Sequence, residues 1–347
     1  MSRRTFLNHC LRRASLPLLA PWTAPMAQAA DKTWHILMIT FRGETDVDRG
    51  FRAYLADAGV KVRYTLRDVG QDMRRAPGIV QEIPALAPDL IYVWGTPLTL
   101  AVVGAWDNPN GEHFIHDIPV VFALVAAPVD ARIVPSLEAP GRNVTGAVHV
   151  VPFDVQLRVM QNYLPLKKLG VLYTQTEPNS RAIVETAQAI CKKNDISLLT
   201  RTFANNAQGR PVADGLEDLI AGLKDEGAQW LYLLPDTFLG TLYDRLAPIT
   251  LAKKLPCFGA AELAIRSGAA LTGLVSRYYS VGQLAAAKAM EILVEGKSPA
   301  QIPVERLKRF SLLINMQVAQ QLQLYPPIDM LNYAEVIGVG ESRAAAS

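Results

Sequence analysis

Leu169-Gly170-Val171-Leu172-Tyr173-Thr174-Gln175-Thr176-Glu177-Pro178-Asn179-Ser180 decides the fold, because an apolar run turns abruptly into a polar loop that opens a helix. Beyond it, Ile183, Ala187, Ile190 and Cys191 recur at i, i+4, i+7 and i+8, the spacing of a helix whose apolar stripe packs on a sheet. This order puts the loop at the strand's carboxyl end, where open α/β sheets bind ligands. Glu177 offers an acceptor to an ammonium, while Asn179, Ser180 and the free helix amides offer donors to a carboxylate or hydroxyl. The same residues also suit plain helix initiation, with Asn179 or Ser180 as cap and Pro178 setting the first turn.

The pattern is written twice. His35-Ile36-Leu37-Met38-Ile39-Thr40-Phe41, a polar loop and a helix to Ala58 match residues 170–176, a polar loop and a helix to Lys193. Second strands at 60–64 and 196–200 lie 136 residues apart, third strands at 90–94 and 230–234 lie 140 apart, and fourth strands at 118–122 and 255–258 lie 137 apart. Each half then reaches a strand holding Thr-Gly, at Thr145-Gly146 and Thr272-Gly273. Strands alternating with helices, duplicated at a near-constant offset, predict an α/β protein of two similar doubly wound parallel-sheet lobes. Right-handed crossovers bring the strand-end loops of each lobe to one edge, so facing lobes line a shared cleft. Thr145, Gly146, Thr272 and Gly273 are read as the hinge between lobes. The first lobe is predicted over 30–147 plus 278–300 and the second over 148–277 plus 301–337, with a frayed tail at 338–347. A helix over 281–295, striped by Leu284, Ala287, Ala289, Ile292 and Leu293, returns to the first lobe; a strand at 310–314 and a helix at 317–324 complete the second.

The first 29 residues read as an export signal: Arg3-Arg4-Thr5-Phe6-Leu7, a modestly apolar stretch, then Ala27-Gln28-Ala29 as a small-residue cleavage site that starts the mature chain near Ala30. The paired arginines suit the twin-arginine route, and an ordinary secretory signal is the alternative. Periplasmic localisation follows. Cys10 lacks the apolar run a lipid anchor requires. Removing the segment takes away Arg3, Arg4, Arg12 and Arg13, so the formal charge falls from +3 to −1. A near-neutral chain gives no reason to expect nucleic acid as a partner or an anionic membrane surface. The longest apolar run, 118–129, is broken by Pro119 and Pro128 and is too short to span a bilayer. Cys191 and Cys257 fall on a predicted helix and strand and suit buried free thiols, with a bridge still open to them in an oxidising compartment.

Several of these pieces together resemble ABC-transporter substrate-binding proteins of the type I periplasmic-binding fold, in the group that includes tryptophan and tyrosine binders. They are Pro140-Gly141-Arg142-Asn143-Val144-Thr145-Gly146, the run from Gly170 to Ser180, Tyr279 with Gly282, and Leu313-Ile314-Asn315 followed by Ala319 and Leu322. The resemblance covers nearly all of the mature chain. It implies a monomer that closes about a hinge on a small polar, amino-acid-like or carboxylate ligand and presents it to an ABC permease and its ATPase. Amino-acid binders of this family typically carry an acid in a Thr-Asp-Pro-like turn after the fourth strand. Here that turn is Val125-Ala126-Ala127-Pro128, so Ala127 stands where an ammonium would have met a carboxylate.

The loop after the first strand instead offers Arg42, Glu44 and Asp46; Arg42 suits bidentate grip of a carboxylate, or Arg42 and Glu44 form a solvated pair at a loop tip. Thr96 after the third strand suits an anion or a simple cap, and Asp236 with Thr237 holds the matching place in the second lobe. Glu262 is the remaining carboxylate for an ammonium, and Tyr278 and Tyr279 lie by the last hinge, where a ring stacks on a ligand or packs the hinge. Enzyme signatures are missing: there is no Gly-x-Ser-x-Gly, no His-Glu-x-x-His and no Gly-rich phosphate loop. No cofactor is expected. His113 and His116, flanked by Glu112 and Asp117, lie in a Pro-, Asn- and Gly-rich connection and read as solvated loop rather than metal site, and His149 reads as structural. A sensor for a signalling partner and a two-lobed periplasmic hydrolase or isomerase are the alternative functions, since carboxylates facing a cleft also do acid/base work.

Overall fold

Strands without a polar face must be covered on both sides, and β1 (Trp34–Thr40) is buried at every position after its first. Residues 32–108 and 113–338 are described by this computed structural model; the expected signal at 1–29, Cys10, Glu112 and the tail from 339 lie outside them. After β1 come α1 (Asp46–Asp57), β2 (Val62–Asp68), α2 (Ala76–Leu86), β3 (Leu90–Trp94), α3 (Thr96–Val103), β4 (Val120–Val125) and β5 (Val144–Val148). The second half runs α4 (Phe153–Tyr163), β6 (Lys168–Tyr173), α5 (Pro178–Lys193), β7 (Ser197–Thr202), α6 (Leu216–Asp225), β8 (Trp230–Leu233), α7 (Tyr243–Ala252), β9 (Cys257–Gly259), α8 (Glu262–Arg266) and β10 (Thr272–Val275). Next are α9 (Tyr278–Leu293), β11 (Glu305–Arg306), β12 (Ser311–Asn315), α10 (Met316–Leu322), α11 (Ile328–Leu331) and β13 (Ala334–Ile337).

These strands form two sheets, ordered β11-β5-β4-β3-β1-β2 and β13-β12-β10-β9-β8-β6-β7. The order reverses beside β1 in one and beside β6 in the other, so each lobe has a switch point where the loops after two adjacent strands diverge and leave a crevice. The first sheet is parallel throughout. The second is parallel except that β12 runs antiparallel to β10. Alternation along the strands splits the second lobe's core: Leu169, Val171, Trp230 and Tyr232 pack on one face, Leu172, Leu231 and Leu233 on the other.

Helix α9 begins at Tyr278, three residues before the expected start, and buries Val281, Ala285 and Ala289 in the first lobe's core. The chain then stays with that lobe beyond residue 300, which corrects the expected boundary. β11 pairs with β5, and Ile302 and Val304 are buried in the same core, so the chain leaves the first sheet after Arg306. The four residues read as the hinge also stand differently. Thr145 and Gly146 pair with β4 inside the ladder, and Thr272 and Gly273 pair with β12; the chain leaves these strands only after Val148 and Val275. Their recurrence has a packing cause. The Thr145 hydroxyl donates to the Ile302 carbonyl and the Thr272 hydroxyl to the Leu313 carbonyl, each at 2.8 Å. A methyl on Gly146 would lie 2.3 Å from the Phe122 carbonyl oxygen and one on Gly273 2.1 Å from that of Gly259, so both strands need a residue without Cβ there.

Candidate ligand-binding cleft

On the first lobe's side, the loop after β1 carries Arg42. Its guanidinium lies 5.4 Å from the Phe41 ring centroid and 5.6 Å from that of Trp94, and the two rings stack on each other at 5.6 Å. Aromatic faces hold a cation electrostatically while keeping water from it. From this seat Arg42 Nη1 donates to the Gly240 carbonyl at 3.3 Å, a bond between the lobes. The pairing of β4 with β5 shifts register between Ala123 and Val125, and Leu124 adopts φ +57°, a left-handed conformation uncommon for a residue with a Cβ. The bulge brings Leu124 and Ala126 into the cavity wall. Thr96 opens α3, and its hydroxyl oxygen accepts the Ala126 amide at 3.3 Å.

On the second lobe's side, the loop after β6 and the loop after β8 are wired to each other. Asp236 Oδ2 accepts the Thr174 amide, the Thr174 hydroxyl and the Ser180 hydroxyl at 2.7–2.8 Å, and Oδ1 accepts the Leu239 amide at 2.8 Å. Glu177 accepts the Thr237 and Phe238 amides at 3.0–3.1 Å. Burial, together with the negative Asp236 nearby, pushes the Glu177 carboxyl up to about 8. Asn179 donates from Nδ2 to the Pro235 carbonyl at 2.9 Å. Two loops that open helices at a switch point would leave amides unpaired, and here the carboxylates take up four of them.

Between the walls lies a cavity of about 50 Å³. Arg42, Thr96, Asn179, Asp236 and Thr237 from the sequence-derived set line it, and the geometry brings them together from both halves of the chain. Four other residues also line it: Trp94 and Tyr243, which the sequence reading did not single out, His149, which it read as structural, and Tyr278, which it read as stacking on a ligand or packing the hinge. Arg42 Nε, Trp94 Nε1, His149 Nδ1 and Asn179 Oδ1 are buried without a hydrogen-bond partner in the protein. His149 follows β5, meets the Tyr278 ring edge-on at 6.2 Å, and is held down to about 4 by burial, so it is neutral at physiological pH.

The remaining candidates stand elsewhere. Glu44 pairs with Arg52 at 3.3 Å on the surface, and Asp46 with Arg49. Tyr279 is 41% exposed; its neighbour Tyr278 takes the cavity position, because one step along a helix turns a side chain about 100°. Ala127 lines a separate apolar pocket by the first crossing, with Val148 and Phe153, while Ala126 reaches the cleft. Glu262 is buried but spoken for: it lies 2.7 Å from Arg266 Nε and 2.8 Å from Arg277 Nε, and accepts the Tyr278 amide. Glu177 and Ser180 sit behind the wall, holding the loops through the bonds above. No such wiring is readable from spacing, since its partners lie some 60 residues away. Among the described residues no group of three or more His, Cys, Asp or Glu side chains is placed to hold a metal, and no helix is long and apolar enough to cross a membrane.

Residues 37–337 match the family described as ABC transporter substrate binding protein. The chain belongs to that family. This substrate-binding protein is 28% identical over 282 residues to a tyrosine-binding protein of Clostridioides difficile, covering 80% of its own length and 76% of that relative's. Its fold is similar to that of a conserved domain protein from Vibrio cholerae, with a TM-score of 0.76 at 25% identity, covering 88% of this chain and 99% of the other. A Streptococcus pneumonia ABC domain solved in complex with L-Trp shares the fold at a TM-score of 0.75 and 22% identity, with the same coverage. The two-lobed parallel-sheet architecture is thus that of the type I periplasmic-binding proteins. The homologues are substrate-binding proteins rather than enzymes, which sets aside the hydrolase and isomerase readings.

Proposed function

We propose that this substrate-binding protein, exported to the periplasm by its first 29 residues, captures a small carboxylate-bearing solute between its lobes as a monomer. It delivers the solute to an ABC permease powered by an ATPase. One observation carries the reading: Arg42, seated on Phe41 and Trp94, has Nε buried without a protein partner while Nη1 already bridges to the second lobe. An arginine so placed grips a carboxylate with a fork of donors and strengthens that grip when water leaves. A ligand touching both lobes stabilises the closed arrangement alone, which shifts the population toward it. Thr96, Asn179 and Thr237 supply hydroxyl and amide contacts from the two sides. The names of relatives that bind tyrosine and L-Trp support a ligand with a carboxylate on an aromatic body.

Mass spectrometry of small molecules released from natively purified protein tests the proposal. A carboxylic acid is expected, and Arg42→Met is expected to weaken its binding roughly ten- to hundredfold, the loss of a charge-assisted pair. Retention of uncharged solutes with unchanged affinity in Arg42→Met would sink it.

A further inference from the structure

The cleft leaves a carboxylate a free cationic donor, but among the described residues it leaves an ammonium no carboxylate oxygen that is not already taken by the protein. An α-amino acid brings an ammonium as well as a carboxylate, and an ammonium buried without an anion is far costlier than a buried hydroxyl. Among the described residues, the charged side chains lining the cavity are Arg42 and Asp236. Asp236 already accepts four protein hydrogen bonds, and a carboxylate offers about four lone-pair sites. Glu177 turns both oxygens to backbone amides, and Glu262 is neutralised by two arginines. What remains unpartnered is one cationic donor, Arg42 Nε, and three neutral groups, Trp94 Nε1, His149 Nδ1 and Asn179 Oδ1. That set suits a single negative charge and a neutral hydroxyl or ring N–H. The flanking rings of Trp94, Tyr243 and Tyr278 suit a flat apolar body.

Resting on the carboxylate reading above, we infer that the ligand is an amine-free aromatic monocarboxylate, of the arylalkanoic or α-hydroxy-arylalkanoic class, and that the site discriminates against the corresponding α-amino acid. Two matched pairs isolate the amine: indolelactate against L-tryptophan, and para-hydroxyphenyllactate against L-tyrosine. Within a pair the ring, chain and carboxylate are the same, and hydroxyl replaces ammonium. Calorimetric titration of the full-length chain at neutral pH, after bound ligand has been stripped by unfolding and refolding, should give the hydroxy acid of at least one pair a dissociation constant roughly ten- to hundredfold below its amino acid's, the cost of an unsatisfied buried charged donor.

An amino acid that binds as tightly as its hydroxy acid, or tighter, overturns the inference and leaves the carboxylate reading standing. Failure of all four compounds to bind overturns the inference as well. Arg42→Met separates the two levels: if it leaves the affinity of a bound acid unchanged, the carboxylate reading itself is wrong.

Discussion

Glu177 and Asp236 lie almost wholly buried beside one another, each held by hydrogen bonds within the loop pair, and burial together with the neighbouring Asp236 charge raises the Glu177 carboxyl. Raised to about 8 from its ordinary value near 4.5, Glu177 binds a proton in the folded state that it loses on unfolding above pH 4.5. Its contribution therefore favours the folded state at low pH and fades as pH rises toward 8. His149 acts with the opposite sign between about 4 and its ordinary 6.5, because the unfolded chain takes up the proton there. The two offset each other below 6.5, so the Glu177 effect stands alone between 6.5 and 8. Stability by urea denaturation should fall as pH rises across that window, and Glu177→Gln should flatten the slope. Asp236→Ala strands four buried donors and should cost about 3 kcal/mol or more in the same measurement.

Helices α1 and α9 meet backbone to backbone. A methyl on Gly282 would lie 1.9 Å from the Val47 carbonyl oxygen, and one on Gly50 would lie 2.0 Å from that of Tyr279. The contact fastens the returning helix to the first lobe and thereby places Tyr278 at the cavity. Gly282→Ala should destabilise the protein by about 3 kcal/mol, the upper end of overpacking, seen as a lowered denaturation midpoint. Gly282 belongs to the motif that carried the family resemblance, and its meaning is this helix crossing. The helix itself was legible from its apolar stripe; the crossing was not, because it pairs residues 229 and 235 positions apart. Cys191 in α5 and Cys257 in β9 are both free and buried, with thiols pushed up by burial to about 11 and about 12. Both should resist alkylation in the native protein and react after unfolding.

The two lobes are joined by crossings after Val148, Val275 and Arg306 and bridged by Arg42 to Gly240, and the proposed function requires them to close about those crossings. Small-angle scattering should show compaction on adding the ligand. Arg42→Ala should leave the free protein more open, since it removes both the bridge and the ring-seated cation. A rigid particle with and without a bound acid would contradict the closure mechanism.

The sequence by itself determined the duplicated strand–helix order, the two lobes and the strand-end loops as the place of the cleft. Those are set by local periodicity and by chain-order rules that any such pattern obeys. It also singled out Arg42, Thr96, Asn179, Asp236 and Thr237, residues with polar chemistry at loop positions where a reversal of strand order leaves a crevice. Only the tertiary structure decided how the carboxylates are used. Whether Glu177, Asp236 or Glu262 greets a ligand depends on which amides, hydroxyls and arginines reach them first, and those arrive from distant segments. The choice of Tyr278 over Tyr279, and the entry of Trp94, His149 and Tyr243, likewise hang on helix phase and lobe closure, which no stretch of sequence fixes alone.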